Sequence, residues 1–171
     1  MTRVLPVKPL TAQAFQPWGD VIEPGGAPDR IINDGRCGRF HDRARLNFGD
    51  GRAGISLFDA EERRLPLDIP LVERHPLGSQ AFMPVSGARM LVVVADDEGG
   101  KPLTPNVFLS APGQSVNILR GVWHGVLTPV GTGGTTGQFV VVDRIGEGDN
   151  LEEHFFDQPW RVEVLPGGVI L

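Results

Sequence analysis

Histidines and the carboxylates near them are the residues of this sequence most able to do chemistry. The segment Leu71–His75 has the pattern of a β-strand, which places Glu73 and His75 on one face and Arg74 on the other. Leu71 shares the face of Glu73 and His75, so we expect that face to look into the protein interior. A carboxylate beside an imidazole can move protons near neutral pH or hold a divalent metal ion.

A further histidine, His124, begins another predicted strand, and a strand in that place can return it across a barrel towards His75. Gln80 opens the strand that follows the turn after His75. We predict that Glu73, His75, His124 and Gln80 form the catalytic group. The same four residues are predicted ligands of a divalent ion such as Ni²⁺ or Zn²⁺, with Gln80 the weakest of them. No organic cofactor is expected, and which residue is base and which is acid stays open.

Three more residues are candidates for substrate binding. Asp143 lies in phase with Phe139 and Val141 on its strand and is expected to point inward with them. Trp123 lies next to a candidate histidine, and Asn33 lies in a loop region that can form a rim over the site. Each also has a structural interpretation: an ion pair or turn cap for Asp143, core packing for Trp123 and surface exposure for Asn33.

The elements that must position these residues are short strands. Glycine (23 residues) and proline (15 residues) are frequent, and turn sequences separate the apolar runs. Closely spaced strands without long helical patterns predict an all-β sandwich or barrel, preceded by one short helix over residues 9–17 with Thr11 as its N-cap. The candidate strands are Gly54–Phe58, Leu71–His75, Gln80–Pro84, Arg89–Ala95, Asn106–Ser110, Ser115–Leu119, Gly125–Thr128 and Gln138–Asp143.

The 171 residues suit a single domain. We divide it into an N-terminal helix with loops and edge strands (1–50), a barrel core (54–145) and an extra tail (158–171). The net charge of −5 without a basic run argues against a nucleic-acid partner. The longest apolar runs fall short of the about 20 residues that span a membrane, and no leader pattern opens the chain. A single cysteine, Cys37, fits the cytoplasm.

Strand edges and the apolar tail Val162–Leu171 predict pairing between subunits. An exposed strand edge presents unpaired backbone groups, and a dimer is the simplest closed arrangement that covers them. We therefore expect a homodimer.

The spacing of the candidate residues resembles that of the cupin family. The first cupin motif is matched by Glu73, His75, Gln80 and Gly87, and the second by Gly113, Leu119, Gly121 and His124. Glu73, Gln80 and Leu119 stand where that family usually has His, Glu and Pro. The resemblance implies a double-stranded β-helix, a cupin-like jelly-roll barrel, with the site at the barrel mouth.

Several ordered stretches of the sequence carry a second and closer resemblance: Leu10–Phe15, Trp18–Ile22, Asn33–Gly35, His41–Asp42, Glu73–Phe82, Val122–His124 and Val142–Arg144. Over nearly the whole chain they resemble the ureidoglycolate lyase family. This resemblance implies cleavage of ureidoglycolate to glyoxylate and urea in purine and allantoin degradation, by a cytoplasmic homodimer.

Two other classes of function remain open. One is a metal-dependent cupin enzyme with different chemistry, such as an isomerase or a dioxygenase, because a fold alone does not determine the reaction. The other is a non-enzymatic cupin that binds a small molecule. Such a binding module does not need Glu73, His75 and His124 clustered in its interior, so their dispersal would favour it.

Overall fold

Almost every regular element of the protein is a strand in the computed structural model, which describes residues 3–85, 87–131 and 136–163. The helix α1 spans Ala12–Phe15. The strands are β1 (Arg3–Pro9), β2 (Gly19–Ile22), β3 (Arg30–Ile32), β4 (Cys37–Arg39), β5 (Arg52–Glu61), β6 (Leu67–Arg74), β7 (Gln80–Pro84), β8 (Arg89–Ala95), β9 (Asp97–Glu98), β10 (Lys101–Pro102), β11 (Asn106–Leu109), β12 (Ser115–Ile118), β13 (Trp123–His124), β14 (Thr128–Val130), β15 (Thr136–Ile145) and β16 (Glu152–Glu163).

Six strands close on themselves into a ring. Their order is β11-β1-β16-β6-β13-β8, and β8 pairs back onto β11, while β14 adds to β8 outside the ring. Apolar side chains from these strands fill the ring, among them Val72, Leu91, Val107, Trp123 and Val162. The prediction of an all-β barrel with one short N-terminal helix is therefore confirmed.

A second sheet, in the order β2-β12-β7-β15-β5, packs against one side of the ring. The strand β8 serves both cores, because Leu91 and Val93 point into the ring whereas Met90 and Val92 point towards the second sheet. This explains why its apolar run does not alternate with polar residues. We call the space between the ring and the second sheet the inter-sheet layer; its core includes Phe15, Phe82, Val92, Val116 and Phe139.

The predicted helix exists, but only as a single turn. Thr11 caps it as expected, with its hydroxyl accepting from the backbone N–H of Ala14 at 3.2 Å. The turn is short because β1 continues through Pro9, so the residues that open the predicted helix are extended. Phe15 anchors the turn and is fully buried in the inter-sheet layer.

Three expectations about boundaries need correction. The core of residues 54–145 is too narrow, because β1 and β16 supply two strands of the ring. Residues 158–163 of the expected tail belong to β16, while residues 164–171 lie outside the described part of the chain. The strand expected at Gly125–Thr128 is wrong: a loop joins β13 to β14 there, and only Thr128 lies in a strand.

The described part of the chain contains no helix long and apolar enough to cross a membrane.

Candidate functional site

Strand pairing brings Glu73 and His124 side by side. The two-residue strand β13 lies between β6 and β8, with His124 paired to Glu73 on one side and to Val94 on the other. Val94 packs in the inter-sheet layer, and paired residues in a sheet point to the same face. Glu73 and His124 therefore face the inter-sheet layer, while their neighbours Val72 and Trp123 point into the ring.

His75 lies one residue beyond β6, in the turn that leads to β7, and hydrogen bonds from distant parts of the chain hold this turn. The backbone N–H of Gly121 donates to the carbonyl of His75 at 2.9 Å. Asn150 makes two further contacts: its side-chain oxygen accepts from the Leu77 N–H at 2.8 Å, and its carbonyl accepts from Nδ1 of His75 at 2.6 Å. This places the rings of His75 and His124 with centroids 5.2 Å apart.

Glu73, His75 and His124 form a compact cluster. One ligand atom of each lies within 4.8 Å of the other two. The Nε2 atom of His124 is 3.7 Å from Oε1 of Glu73. The structure thus confirms the predicted meeting of these three residues. The adjacent strands β6 and β13 and the turn after β6 achieve it, and His124 does not cross a barrel to reach His75.

Both imidazoles are held in the same tautomer. Nδ1 of His75 contacts the Asn150 carbonyl, and Nδ1 of His124 contacts the Val122 carbonyl at 3.0 Å. A carbonyl oxygen only accepts hydrogen bonds, so each Nδ1 carries a proton, and in the neutral form of each ring Nε2 keeps a lone pair. Both Nε2 atoms are buried, and neither has a hydrogen-bond partner among the described residues. Two buried lone pairs beside a carboxylate suit a bound cation or a proton donor.

Burial shifts the acid–base properties of the cluster. It raises the pKa of the Glu73 carboxyl. A positive charge on His75 opposes this rise in pKa, and the negative charge of Glu153 adds to it. Burial also lowers the pKa of His124 to about 4; the hydrogen bond to Val122 opposes this shift and the proximity of His75 adds to it. His124 is therefore neutral at neutral pH, with Nε2 available.

Gln80 and Asp143 approach the inter-sheet layer from the second sheet. Gln80 shares a face of β7 with the core residue Phe82, and Asp143 shares a face of β15 with Val141. Val142 pairs with Ala81, so one step along the strands places Asp143 beside Gln80. Oε1 of Gln80 and Oδ1 of Asp143 are both buried without a hydrogen-bond partner in the described part of the chain.

The other two substrate-binding candidates lie elsewhere. Trp123 points away from His124 into the ring; its indole N–H donates to Asp97 at 2.8 Å, and the Arg74 guanidinium lies 4.3 Å from its ring centroid. These contacts favour the packing interpretation of Trp123. Asn33 is exposed in the turn of the β3–β4 hairpin. No contact within the described residues links Asn33 to the cluster, and its role stays a prediction.

Asn150 is the residue of the site that sequence reasoning missed. It lies 75 positions from His75 in a loop between β15 and β16, and no motif or periodicity marks it. Only the closure of the ring by β16 brings this loop against the His75 turn.

A family model and individual relatives of the chain agree on one family. The family model described as ureidoglycolate lyase matches residues 2–163. The ureidoglycolate lyase of Rhodobacter capsulatus is 58% identical over 160 residues, which cover 93% of this chain and 98% of that protein. Ureidoglycolate lyase 2 of Rhizobium meliloti is 52% identical over 161 residues, covering 93% of this chain and 97% of its own length. The ureidoglycolate lyase of Chelativorans sp. is 46% identical over 164 residues, covering 95% and 98%.

Proposed function

The chain belongs to the ureidoglycolate lyase family, and we propose that its Glu73–His75–His124 cluster is where it cleaves ureidoglycolate to glyoxylate and urea. The observation that carries this proposal is the pair of buried Nε2 atoms that lack a hydrogen-bond partner among the described residues, on two histidines that each bring a ring nitrogen within 4.8 Å of a Glu73 carboxyl oxygen. A structural histidine in a core uses both ring nitrogens for hydrogen bonds, whereas these two leave the inner nitrogen for a ligand.

The reaction defines what the site must supply. Ureidoglycolate carries a carboxylate, a hydroxyl and a ureido nitrogen on one carbon. Its cleavage needs a base for the hydroxyl proton as the aldehyde forms, an acid for the departing nitrogen, and an anchor for the carboxylate. Positioned acid–base groups typically contribute a factor of about 10² to 10⁴ to the rate.

The cluster contains suitable proton carriers. Burial raises the pKa of Glu73, so its carboxylate takes a hydroxyl proton more readily than an exposed one and can return that proton to the leaving nitrogen. His124 remains a proton acceptor at neutral pH because burial lowers its pKa. On the facing sheet, the buried oxygens of Gln80 and Asp143 have no partner among the described residues, which supports a role as acceptors for N–H groups of the substrate.

A divalent metal ion such as Ni²⁺ or Zn²⁺ fits the same cluster. In their neutral forms His75 and His124 each offer the lone pair of Nε2 while Nδ1 donates to a carbonyl, as in the outer-shell arrangement typical of metal-binding histidines. Glu73 supplies a carboxylate oxygen, and the proposal adds Gln80, on the facing sheet, as a weaker fourth ligand. A bound ion supplies Lewis-acid stabilisation of the substrate oxygens.

The proposal includes a cytoplasmic homodimer that takes ureidoglycolate as its small-molecule substrate. The dimer is supported by the outer face of β5, the end strand of the second sheet, where Ile55 and Leu57 are 77% and 80% exposed. Neighbouring exposed apolar side chains on an end strand are typical of a surface that another chain covers.

The assignment of the site is tested by replacing its histidines. His75→Ala and His124→Ala should each lower kcat for ureidoglycolate by about a hundredfold or more, because each removes a proton carrier or ligand. His41→Ala, at an exposed histidine, is the matched control and should retain wild-type turnover. Circular dichroism checks that the variants fold, and near-normal turnover in both site variants would overturn the assignment.

A further inference from the structure

A second cavity lies away from the cluster, where the start of β1, the β9–β10 hairpin and β16 meet. Its volume is about 410 Å³, within the range of small-molecule pockets. None of Glu73, His75 and His124 lines it. We call it the β16 cavity; its lining includes Arg3, Lys101, His154, Phe156, Asp157 and Trp160.

A bulge in β16 shapes this cavity. Phe155 pairs with Leu71 and Trp160 with Ile69, so five steps along β16 correspond to two along β6. The extra residues lift out of the sheet, and such bulges commonly redirect side chains next to functional sites. At this irregularity Phe156 and Trp160 pack against the ring core, and both side chains also line the cavity.

The indole of Trp160 is left without a partner in this wall. Its Nε1 atom is buried and makes no hydrogen bond to any residue that the structure describes. An indole nitrogen only donates, so burial without an acceptor is unfavourable and uncommon in folded proteins. The other tryptophans contrast with it, because Trp18 donates to Asp96 and Trp123 to Asp97, both at 2.8 Å.

Two positively charged side chains line the same cavity. The Arg3 guanidinium lies over the Trp160 ring, 4.8 Å from its centroid, and Lys101 also lines the cavity. Neither cation forms an ion pair with a described residue. This is notable in a chain with a net charge of −5. Asp157 contributes a carboxylate to the lining, so the cavity offers an acceptor as well as cations and a donor.

We propose that the β16 cavity binds a small organic carboxylate. A carboxylate oxygen accepts the hydrogen bond of Trp160 Nε1, and Arg3 and Lys101 neutralise the negative charge. Asp157 favours acids that also carry an amide or hydroxyl donor. This site shares no lining residue with the proposed catalytic cluster, so its test does not depend on the reaction proposed there.

The indole signals of the three tryptophans provide a direct test. Metal-free, ¹⁵N-labelled protein is titrated with N-carbamoylglycine, which has a carboxylate and amide donors, and with its uncharged primary amide as the matched control. The Trp160 indole signal, assigned with Trp160→Phe, should shift with a Kd of about 1 mM or tighter for the acid only. The Trp18 signal should stay fixed.

The double variant Arg3→Ala/Lys101→Ala should weaken this binding by about tenfold or more, since each charged hydrogen bond lost accounts for about that factor. Arg52→Ala, at an exposed arginine on β5, should leave it unchanged. The proposal is overturned if the Trp160 signal does not move up to about 20 mM acid, or if the double variant binds as the wild type does. Binding of the acid at the catalytic cluster is distinguished because it does not depend on Arg3 and Lys101.

Discussion

At the scale of single residues, the site depends on which nitrogen of each imidazole carries the proton. In His75 and His124 a backbone carbonyl accepts the hydrogen bond of Nδ1–H, so Nε2 is the nitrogen left free for a ligand, and it has no partner among the described residues. The types and spacing of Glu73, His75 and His124 were enough to predict the cluster. Their tautomers were not predictable, because the carbonyls that set them belong to Val122 and the distant Asn150.

Burial of His124 predicts a dependence of stability on pH. Its pKa is about 4 when folded and 6.5 in the unfolded reference, so between these values the unfolded chain binds a proton that the native protein does not. The contribution of His124 to the free energy of unfolding should therefore fall by about 3 kcal/mol as the pH drops from 6.5 to 4. Glu73 acts in the opposite direction, because its pKa is raised.

Denaturant unfolding of chelated protein across this pH range isolates the effect of His124. The difference in unfolding free energy between the wild type and His124→Asn should shrink or reverse as the pH falls, whereas His41→Asn should track the wild type. A difference between wild type and His124→Asn that does not change with pH would show that His124 is not buried in the neutral form.

At the scale of elements, short strands and one turn determine the positions of the site residues. The strands β7 and β8 and most of β15 lie where alternation and turn sequences predict them, because each packs a strongly apolar face. Sequence reasoning missed β1 and β16, because their partners lie at the opposite end of the chain. The turn that carries His75 is held by Gly121 and Asn150, neither of which is close to it in sequence.

The side chain of Asn150 should keep the His75 turn in place. Asn150→Ala removes the oxygen that accepts from the Leu77 N–H, and we expect kcat and metal affinity to fall about tenfold, as for other outer-shell contacts. Asn150→Asp keeps an oxygen in that position and should restore most of both. Long-range ¹⁵N–¹H spectra of the imidazoles should show disturbed His75 signals in Asn150→Ala and unchanged His124 signals. Full activity in Asn150→Ala would contradict this positioning role.

At the scale of the whole molecule, two cores share the strand β8. One fills the six-strand ring and the other fills the inter-sheet layer that carries the cluster. An all-β barrel was predictable from turn spacing and short apolar runs. The closed ring was not, because it depends on parallel pairing of β1 with both β11 and β16, and long-range pairing leaves no local pattern in the sequence.

The exposed apolar side chains on β5 predict that two copies of the chain pair through this strand. The double variant Ile55→Glu/Leu57→Glu should convert the proposed dimer to a monomer, because charged side chains resist burial in an apolar interface. Ile31→Glu, at an exposed apolar residue of the β3–β4 hairpin, serves as the control and should remain dimeric. Light scattering after size exclusion gives the masses, and a wild-type monomer at micromolar concentration would refute the dimer.

Product release by the purified protein tests the central claim most directly. Urea and glyoxylate are measured from ureidoglycolate before chelation, after it, and after Ni²⁺ or Zn²⁺ is returned. We predict equimolar products, loss of turnover on chelation and recovery with the metal, because Glu73, His75 and His124 then act as ligands. Turnover that is indifferent to chelation would contradict the metal site and leave the three residues as acid and base. The absence of urea under every condition would contradict the proposed reaction itself.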